Sequence, residues 1–235
     1  MKKMFLPLAI VICMQLQAQK ISTDSDMWNT YSAKNWTVED ASGKAEVKFG
    51  ADFIEIIAPD GLTLWYNTKL EGCYTVSYKA KFITEGGKYE RLSDLNCFWA
   101  AGDPEHPDDI FARSKWRNGI FQRYRSLDLF YVGYGGNSNT TTRFRRYYGE
   151  LYGQEDDTVR PLIKEYTDEA YLLKKDHWHN VMIEVKDSLT TYHLNGELLF
   201  SLPLVKGEGN GYFGIRLVEN HIIVSEMEIT EKPAD

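Results

Sequence analysis

The chain has 235 residues, of which 43% are apolar, 26% charged and 14% aromatic, and its net charge is −7. This aromatic content excludes a disordered chain, and the 18 Gly and 7 Pro residues argue against a coiled coil. The acidic balance argues against a general nucleic-acid binder. We therefore expect a globular protein with a large core.

The first residues have the features of a secretory signal peptide. Lys2 and Lys3 precede an apolar run over 4–14, and a short polar stretch ends at Ala18. We expect cleavage after Ala18, which gives a signal peptide at 1–18 and one domain at 19–235, with 25 basic and 34 acidic side chains. The protein is then secreted or periplasmic. No later apolar stretch reaches the ~20 residues that a membrane-spanning helix needs.

The domain contains Cys73 and Cys97. In an oxidising compartment these two cysteines could form a disulfide, or they could remain two separate buried thiols. The sequence does not decide between the two alternatives.

Alternation of apolar and polar residues dominates the domain. Tyr74, Val76 and Tyr78 alternate with polar side chains, which is typical of a half-buried antiparallel strand, and Asn195-Gly196 is a strong β-hairpin signal. Strands are predicted at 44–49, 52–58, 61–66, 73–82, 92–100, 118–124, 127–134, 140–147, 181–185, 190–194, 197–201, 211–217 and 222–229. Such a series predicts an all-β fold, an antiparallel β-sandwich or jelly roll.

Three further segments complete the predicted organisation. One short helix is expected around 166–175. Residues 101–117 are predicted to form a long loop, and 148–170 a polar excursion. Loops of this length in a compact domain are often functional.

Aromatic and basic residues are concentrated in one part of the chain. Residues 111–152 contain 11 of the 32 aromatic residues, and residues 113–146 contain eight basic side chains, seven of them Arg, against the single acid Asp128. The planar guanidinium group binds carboxylates in a bidentate manner and stacks on rings. The concentration therefore predicts a surface for an anionic polymer, with a well-packed solvated sheet as the alternative.

Strand alternation predicts which of these side chains share a face. Arg143, Arg145 and Tyr147 project together from one predicted strand, and Asp94 and Asn96 from another. We expect these side chains to line one open sheet face. Further substrate-binding candidates come from the same region: Arg113, Arg117, Arg123, Arg125 and Tyr131.

Two parts of the sequence resemble known families. The stretch from His177-Trp178-His179 through Asn195-Gly196 to Gly214-Ile215-Arg216 resembles the C-terminal half of concanavalin-like (laminin-G-like) jelly rolls. The segments 92–99, 103–107, 111–113, 131–137 and 141–147 resemble a family of exported bacterial proteins met among glycan-degradation systems. The second resemblance extends over nearly all of the mature chain and implies a role directed at carbohydrate.

These features favour a polysaccharide lyase that acts on a uronic-acid-containing glycan by β-elimination. Such a reaction needs a group that neutralises the uronate carboxylate, for which Arg143, Arg145 and Asn96 are candidates. It also needs proton-transfer groups. The candidates for proton transfer are Tyr147, Tyr134, Tyr131 and His106. Arg143, Tyr147, Tyr134 and His106 are the predicted catalytic residues.

Two other functions stay open. A non-catalytic carbohydrate-binding module needs only the binding face. A glycoside hydrolase, including one that acts on keto-sugars, commonly needs two closely spaced carboxylates, whereas Asp94, Asp128 and Glu184 each stand alone in their predicted strands. We expect no cofactor. Ca²⁺ at the acidic residues of 103–109 is a weaker alternative. The expected partner is a saccharide, with no nucleic acid, and the protein is predicted to be a monomer.

Overall fold

The computed structural model describes residues 29–232, so the predicted signal peptide lies outside the described residues. In chain order, strands β1 to β14 are Trp36–Asp40, Glu46–Phe49, Phe53–Ala58, Leu62–Tyr66, Cys73–Phe82, Leu95–Gly102, Asp128–Gly135, Thr141–Tyr147, Leu162–Tyr166, His179–Lys186, Leu189–Leu194, Glu197–Pro203, Tyr212–Leu217 and Asn220–Lys232. Short helical turns are formed by Ala33–Asn35, Ile110–Arg113, Ser114–Arg117, Phe121–Ser126, Gly136–Asn139, Gly149–Leu151, Asp156–Val159 and Glu169–Tyr171.

The strands form two antiparallel sheets of seven strands each. The first sheet has the order β1-β4-β13-β6-β7-β8-β9, and the second has the order β12-β11-β10-β5-β14-β3-β2. The two sheets pack on each other through alternate residues of their strands, as in Leu95, Cys97 and Trp99 of β6 and Val76 and Tyr78 of β5. The predicted antiparallel β-sandwich is confirmed.

The hairpin between β11 and β12 shows why the local sequence predicted these two strands correctly. Asn195 and Gly196 have φ angles of 52° and 85°, the left-handed values that a two-residue turn requires at both central positions. Asn and Gly adopt these values at low cost. The turn therefore sets the register of the two strands.

Two sequence predictions of secondary structure are wrong. The predicted strand at 118–124 is a loop that continues into the helical turn Phe121–Ser126. The predicted helix at 166–175 is replaced by the end of strand β9, Leu162–Tyr166, and the short turn Glu169–Tyr171. In both places the tertiary packing of aromatic side chains outweighs a weak local pattern.

The first sheet buries residues on both of its faces. Its outer face, which points away from the second sheet, carries a second apolar cluster. This cluster contains Trp65, Phe98, Ala101, Ile110, Tyr124, Leu127, Leu129, Tyr131 and Tyr147. The segment 103–127 and the residues around 149 cover this cluster, so only part of the outer face remains open.

Cys73 and Cys97 are free thiols, and Cys97 is buried in the core. Of the two alternatives from the sequence, the structure therefore has the separate thiols. Within residues 29–232, none of the helices has the length and apolar character to cross a membrane.

Candidate functional site

The open part of the outer face of the first sheet is a groove that crosses the ends of strands β4, β13, β6, β7 and β8. The groove has two adjoining cavities of about 410 Å³ and 220 Å³. Asp94, Phe121 and Tyr131 line both cavities, so the cavities meet at these three side chains. A site of this kind can hold a ligand that extends across several strands.

We name the two cavities after their arginines. The Arg216 lobe is the larger one, and its lining also includes Asp60, Gly61, Asn96 and Gln122. The Arg145 lobe is the smaller one, and its lining also includes Gly133, Asn137, Thr141, Arg143 and Arg160. Four arginines and two aspartates thus line the groove as a whole.

Strand register places the two lobes side by side. Arg216 of β13 lies opposite Asn96 of β6, Asn96 lies opposite Gly133 of β7, and Gly133 lies opposite Arg143 of β8. Two residues farther along the strands, Tyr131 of β7 lies opposite Arg145 of β8. These polar side chains share one face because alternate residues of a strand point to the same side.

Tyr131 occupies the junction of the two lobes. Its hydroxyl lies over Gly133, where an added Cβ atom would be only 2.5 Å from the hydroxyl oxygen. The ring packs against Phe98 and Phe121, at centroid distances of 5.5 and 5.8 Å. Burial raises the pKa of Tyr131 well above its ordinary value, and the nearby Asp94 raises it further. The phenol therefore remains protonated at neutral pH.

Asp94 enters the groove from a strained position before β6. Its φ angle is 63°, a left-handed value that is uncommon for residues other than glycine. The carboxylate accepts hydrogen bonds from Arg91 Nη2 and Ser93 Oγ, both at 2.7 Å. Strained residues of this kind concentrate at functional sites.

Arg145 differs from the other two arginines of the smaller lobe in its bonding partners. Arg143 pairs with Glu165, and Arg160 Nε donates to Asp156 Oδ1 at 2.6 Å. Arg145 instead donates from Nη1 to the carbonyl of Arg160 at 2.7 Å, and in the described part of the chain it forms no ion pair. Burial, followed by repulsion from Arg160, lowers the pKa of Arg145. The group is still a cation at neutral pH.

Five of the sequence-predicted site residues lie together in the groove. They are Asp94, Asn96, Tyr131, Arg143 and Arg145. The sequence predicted one open sheet face for four of these residues and for Tyr147, and the structure brings the four together but covers Tyr147.

The structure places the other basic candidates outside the groove. Arg117 is fully buried and donates to Glu39 Oε1 at 2.7 Å, and Arg113 Nε donates to Asp103 Oδ2 at 2.7 Å. Arg123 donates to the carbonyl of Trp116, and Arg125 pairs with Asp156 at 2.9 Å. These guanidinium groups connect segments of the protein.

The other predicted catalytic residues also lie away from the open surface. Tyr147 is 0% exposed, within the covered apolar cluster. Tyr134 lies in the core between the sheets, 2.8 Å from His179 Nδ1, because strand alternation turns it to the face opposite Tyr131. Burial lowers the pKa of His179 to about 4. His106 is exposed in the loop before the turn Ile110–Arg113 and is not among the residues of the groove.

In the acidic loop at 103–109, carboxylates bind to other groups of the protein. Asp103 is paired with Arg113, and Asp109 accepts a hydrogen bond from the backbone of Phe111. Between residues 29 and 232 the structure gathers no group of three or more His, Cys, Asp or Glu side chains that could hold a metal ion. Ca²⁺ at this loop stays a prediction without structural support.

Several residues of the groove are absent from the sequence-based candidates, among them the charged and aromatic side chains of Arg216, Phe121 and Arg160. Arg216 could have been found, because it alternates with the inward-facing Phe213, Ile215 and Leu217 of β13. Phe121 was assigned to a strand that does not exist. Arg160 enters from an irregular segment whose position no local pattern indicates.

Three solved structures are similar to this chain. A protein with a galectin-like fold from Bacillus subtilis matches with a TM-score of 0.61 and 13% identity, over 83% of this chain and 89% of its own. The carbohydrate-binding module CBM66 from Bacillus subtilis matches with a TM-score of 0.53 and 9% identity, over 84% and 96%. A β-1,3-1,4-glucanase (lichenase) derived from a mouse hindgut metagenome matches with a TM-score of 0.50 and 11% identity, over 87% and 95%.

At these identities the similarity establishes the fold alone, and it confirms the jelly-roll resemblance. None of the curated proteins is significantly similar in sequence. One family model, described as Domain of unknown function (DUF6250), matches residues 56–227, about three quarters of the chain.

Proposed function

This chain belongs to the DUF6250 family, and from the geometry of its groove we propose that it binds an acidic saccharide across the outer face of the first sheet. The observation that carries the proposal is Arg145, a guanidinium group of the groove that forms no ion pair with any residue of 29–232 and whose hydrogen bond goes to a neutral carbonyl. A partly buried cation without a counter-ion is costly. A ligand carboxylate or sulfate would supply the missing charge through bidentate hydrogen bonds.

Other features of the groove fit a sugar. Tyr131 and Phe121 offer aromatic rings at the junction of the lobes, and rings of this kind pack against the apolar faces of sugars. Asp94, Asn96 and Asp60 offer oxygen and nitrogen atoms for hydroxyl groups. Two of the structures with this fold are a carbohydrate-binding module and a glucanase, which adds support for a saccharide ligand.

Cleavage by β-elimination is the second candidate function, and the juxtaposition of Asp94 and Tyr131 favours it. In this reaction a base removes the proton at C5 of the uronate, the bond between C4 and the leaving oxygen breaks, and a C4–C5 double bond forms. Asp94 would accept the C5 proton, and the protonated phenol of Tyr131 would donate a proton to the leaving oxygen. Arg145 would neutralise the uronate carboxylate.

The test measures binding and cleavage with a panel of polyuronates, including polygalacturonate and alginate, beside a neutral glucan. We expect the wild-type protein to bind at least one polyuronate and not the neutral polymer. Arg145→Met should weaken binding roughly 10- to 100-fold, because hydrogen bonds to charged groups contribute about 1.5–3 kcal/mol. Arg123→Met, which removes an arginine of the same sequence cluster outside the groove, should leave the affinity unchanged.

The products formed from the same panel of polymers distinguish the candidate functions. A lyase produces an unsaturated uronate that absorbs in the ultraviolet, and its rate should fall with Tyr131→Phe. A hydrolase produces new reducing ends without that absorbance. Binding without either product identifies a binding module. Equal affinity of the wild-type protein for acidic and neutral polymers would contradict the proposal.

A further inference from the structure

A second guanidinium group in the groove also has no carboxylate partner. Arg216 is only 4% exposed and lies on the floor of the larger lobe. Its Nη1 atom donates to Thr63 Oγ1 at 3.2 Å and to the carbonyl of Gly119 at 2.9 Å. In the described range 29–232, Arg216 forms no ion pair, and its partners are therefore neutral groups.

The rings around Arg216 do not replace a counter-ion. The guanidinium carbon lies 5.0 Å from the ring centre of Phe121 and 5.1 Å from that of Tyr124. These contacts stabilise a cation by about 0.5–2 kcal/mol, which is less than the several kcal/mol that burial of an ion costs. Burial accordingly lowers the pKa of Arg216, although the group remains a cation at neutral pH.

The nearest acid in the groove is already occupied. Asp94 favours the charged form of Arg216, but its carboxylate accepts a hydrogen bond from Arg91 at 2.7 Å instead. Opposite Arg216 in the sheet, Asn96 is 4% exposed, and its Oδ1 atom has no hydrogen-bond partner among residues 29–232. The floor of this lobe thus holds a buried cation without a counter-ion and a buried acceptor without a donor, both in contact with the cavity.

Arg216 and Arg145 are too far apart to share one anion. Three strand spacings separate β13 from β8, so the two Cα atoms are roughly 14 Å or more apart. Their side chains are also anchored in opposite directions. Arg216 bonds to Thr63 of β4, and Arg145 bonds to the backbone of Arg160 beyond β8. Between them, the hydroxyl of Tyr131 lies over Gly133.

We infer that the groove has two separate anion subsites, one at Arg145 and one at Arg216, and that its ligand is an oligosaccharide with acidic groups on at least two of its units. This inference rests on the proposed function. In the larger lobe the second acidic group pairs with Arg216, and a neighbouring hydroxyl donates to Asn96 Oδ1. Because each subsite pairs with one acidic group, the groove should prefer a glycan that carries several acidic groups.

The experiment compares two forms of each of two oligosaccharides, which differ in their number of free carboxylates. The probes are tetragalacturonate and tetramannuronate, each as the tetra-acid and as a form in which all but one carboxyl group is methyl-esterified. Isothermal titration calorimetry gives the ratio of the two dissociation constants. The wild-type protein should bind the tetra-acid of at least one probe about tenfold or more tightly than its mono-acid form.

Substitution of Arg216 should lower this ratio toward one. We expect Arg216→Met to lose much more affinity for the tetra-acid than for the mono-acid form, because only the tetra-acid places a carboxylate at Arg216. Arg216→Lys keeps the charge and should retain most of the ratio. Arg145→Met should weaken both forms, because the single carboxylate binds at that lobe.

The outcomes separate this inference from the proposed function. If the wild-type protein binds the tetra-acid and the Arg216→Met ratio equals that of the wild type, the second subsite is wrong and the acidic-saccharide proposal stands. If Arg216 has only a structural role, the substitution weakens both forms equally, which also overturns the inference. If the wild-type protein binds none of the four ligands, both proposals fail.

Discussion

The outer face of the first sheet has two halves with similar residues and different bonding. In the covered half, Arg117 is paired with Glu39 and Arg113 with Asp103. In the open half, Arg145 and Arg216 form no ion pair among residues 29–232, and their hydrogen bonds go to neutral groups. In the covered half, arginine therefore joins segments of the protein through ion pairs. In the open half, two arginines have no counter-ion among the described residues.

The difference shows which observation indicates a ligand site. A high local content of arginine is common to both halves, so composition cannot separate a structural cluster from a binding surface. Burial together with the lack of a carboxylate partner distinguishes Arg145 and Arg216, because a buried pair is neutral as a unit whereas a buried unpaired cation favours an external anion. The other two arginines of the groove, Arg143 and Arg160, are paired.

The covered half also supports the open one. Residues 119–122 form a wall of the larger lobe and follow directly on the turn that contains Arg117. Tyr124, farther along the same segment, donates its hydroxyl hydrogen to Glu39 and accepts a hydrogen bond from the backbone of Gly119 at 3.2 Å. Glu39 of β1 therefore holds this wall in place.

Glu39→Gln is expected to have the largest effect. The substitution leaves the fully buried Arg117 without its closest carboxylate, and removal of one partner from a buried pair costs about 3–5 kcal/mol. Urea denaturation should show a loss of this size, and the wall at 119–122 should become more accessible to protease. A loss below about 1 kcal/mol would mean that the pair does not hold the segment.

Glu105→Gln is the matched control for that substitution. Glu105 also pairs with an arginine, Arg113, but its side chain is largely exposed, and Arg113 retains Asp103. Exposed pairs contribute about 0–1 kcal/mol. A comparable loss in both variants would assign the effect to charge in general, not to the buried pair.

Gly133→Ala tests the open half. The new Cβ atom would lie 2.5 Å from the hydroxyl of Tyr131, whose ring is packed between neighbours and cannot easily yield. Overpacking of this kind costs about 1–3 kcal/mol, and displacement of Tyr131 from the junction of the lobes should weaken saccharide binding. Calorimetric binding and thermal unfolding measure the two effects.

The combination Gly133→Ala with Tyr131→Phe serves as its control. Without the hydroxyl the closest atom is removed, so the stability of the double variant should exceed the value expected from the sum of the single changes. Strict additivity would show that the loss in Gly133→Ala does not arise from contact with the Tyr131 hydroxyl, since ring atoms of residue 131 would still lie within 2.9–3.1 Å of the added Cβ atom.

The sequence predicted the fold well because the fold depends on signals that are local. The alternation in β5 and the Asn195-Gly196 turn each determine their own segment. The strand predicted at 118–124 failed for the opposite reason. Phe121 and Tyr124 alternate poorly with their neighbours, and the rings of both lie over the guanidinium group of Arg216, a contact between distant parts of the chain.

Part of the candidate site was also predicted correctly, because that part depends on local strand alternation. Alternation places Arg143 and Arg145 on one face of β8, and this local prediction agrees with the structure. Alternation cannot show which parts of that face another segment covers. Tyr147 shares the face with both arginines but lies under the segment 103–127 and the residues around 149, so its exposure depends on the tertiary structure.

Tyr147→Phe is expected to have the smallest effect. It tests whether Tyr147 belongs to the covered half, although it shares a strand face with Arg143 and Arg145. The Tyr147 hydroxyl is buried and has no hydrogen bond of normal geometry with the described residues, and the guanidinium group of Arg160 is its polar neighbour. Burial raises its pKa, and the nearby guanidinium of Arg160 opposes that rise. Removal of an unpaired buried hydroxyl should change the free energy of unfolding by less than about 1 kcal/mol and leave binding and any turnover unchanged. A tenfold loss of turnover with stability retained would instead make Tyr147 part of the open half, and the boundary between the two halves would have to move.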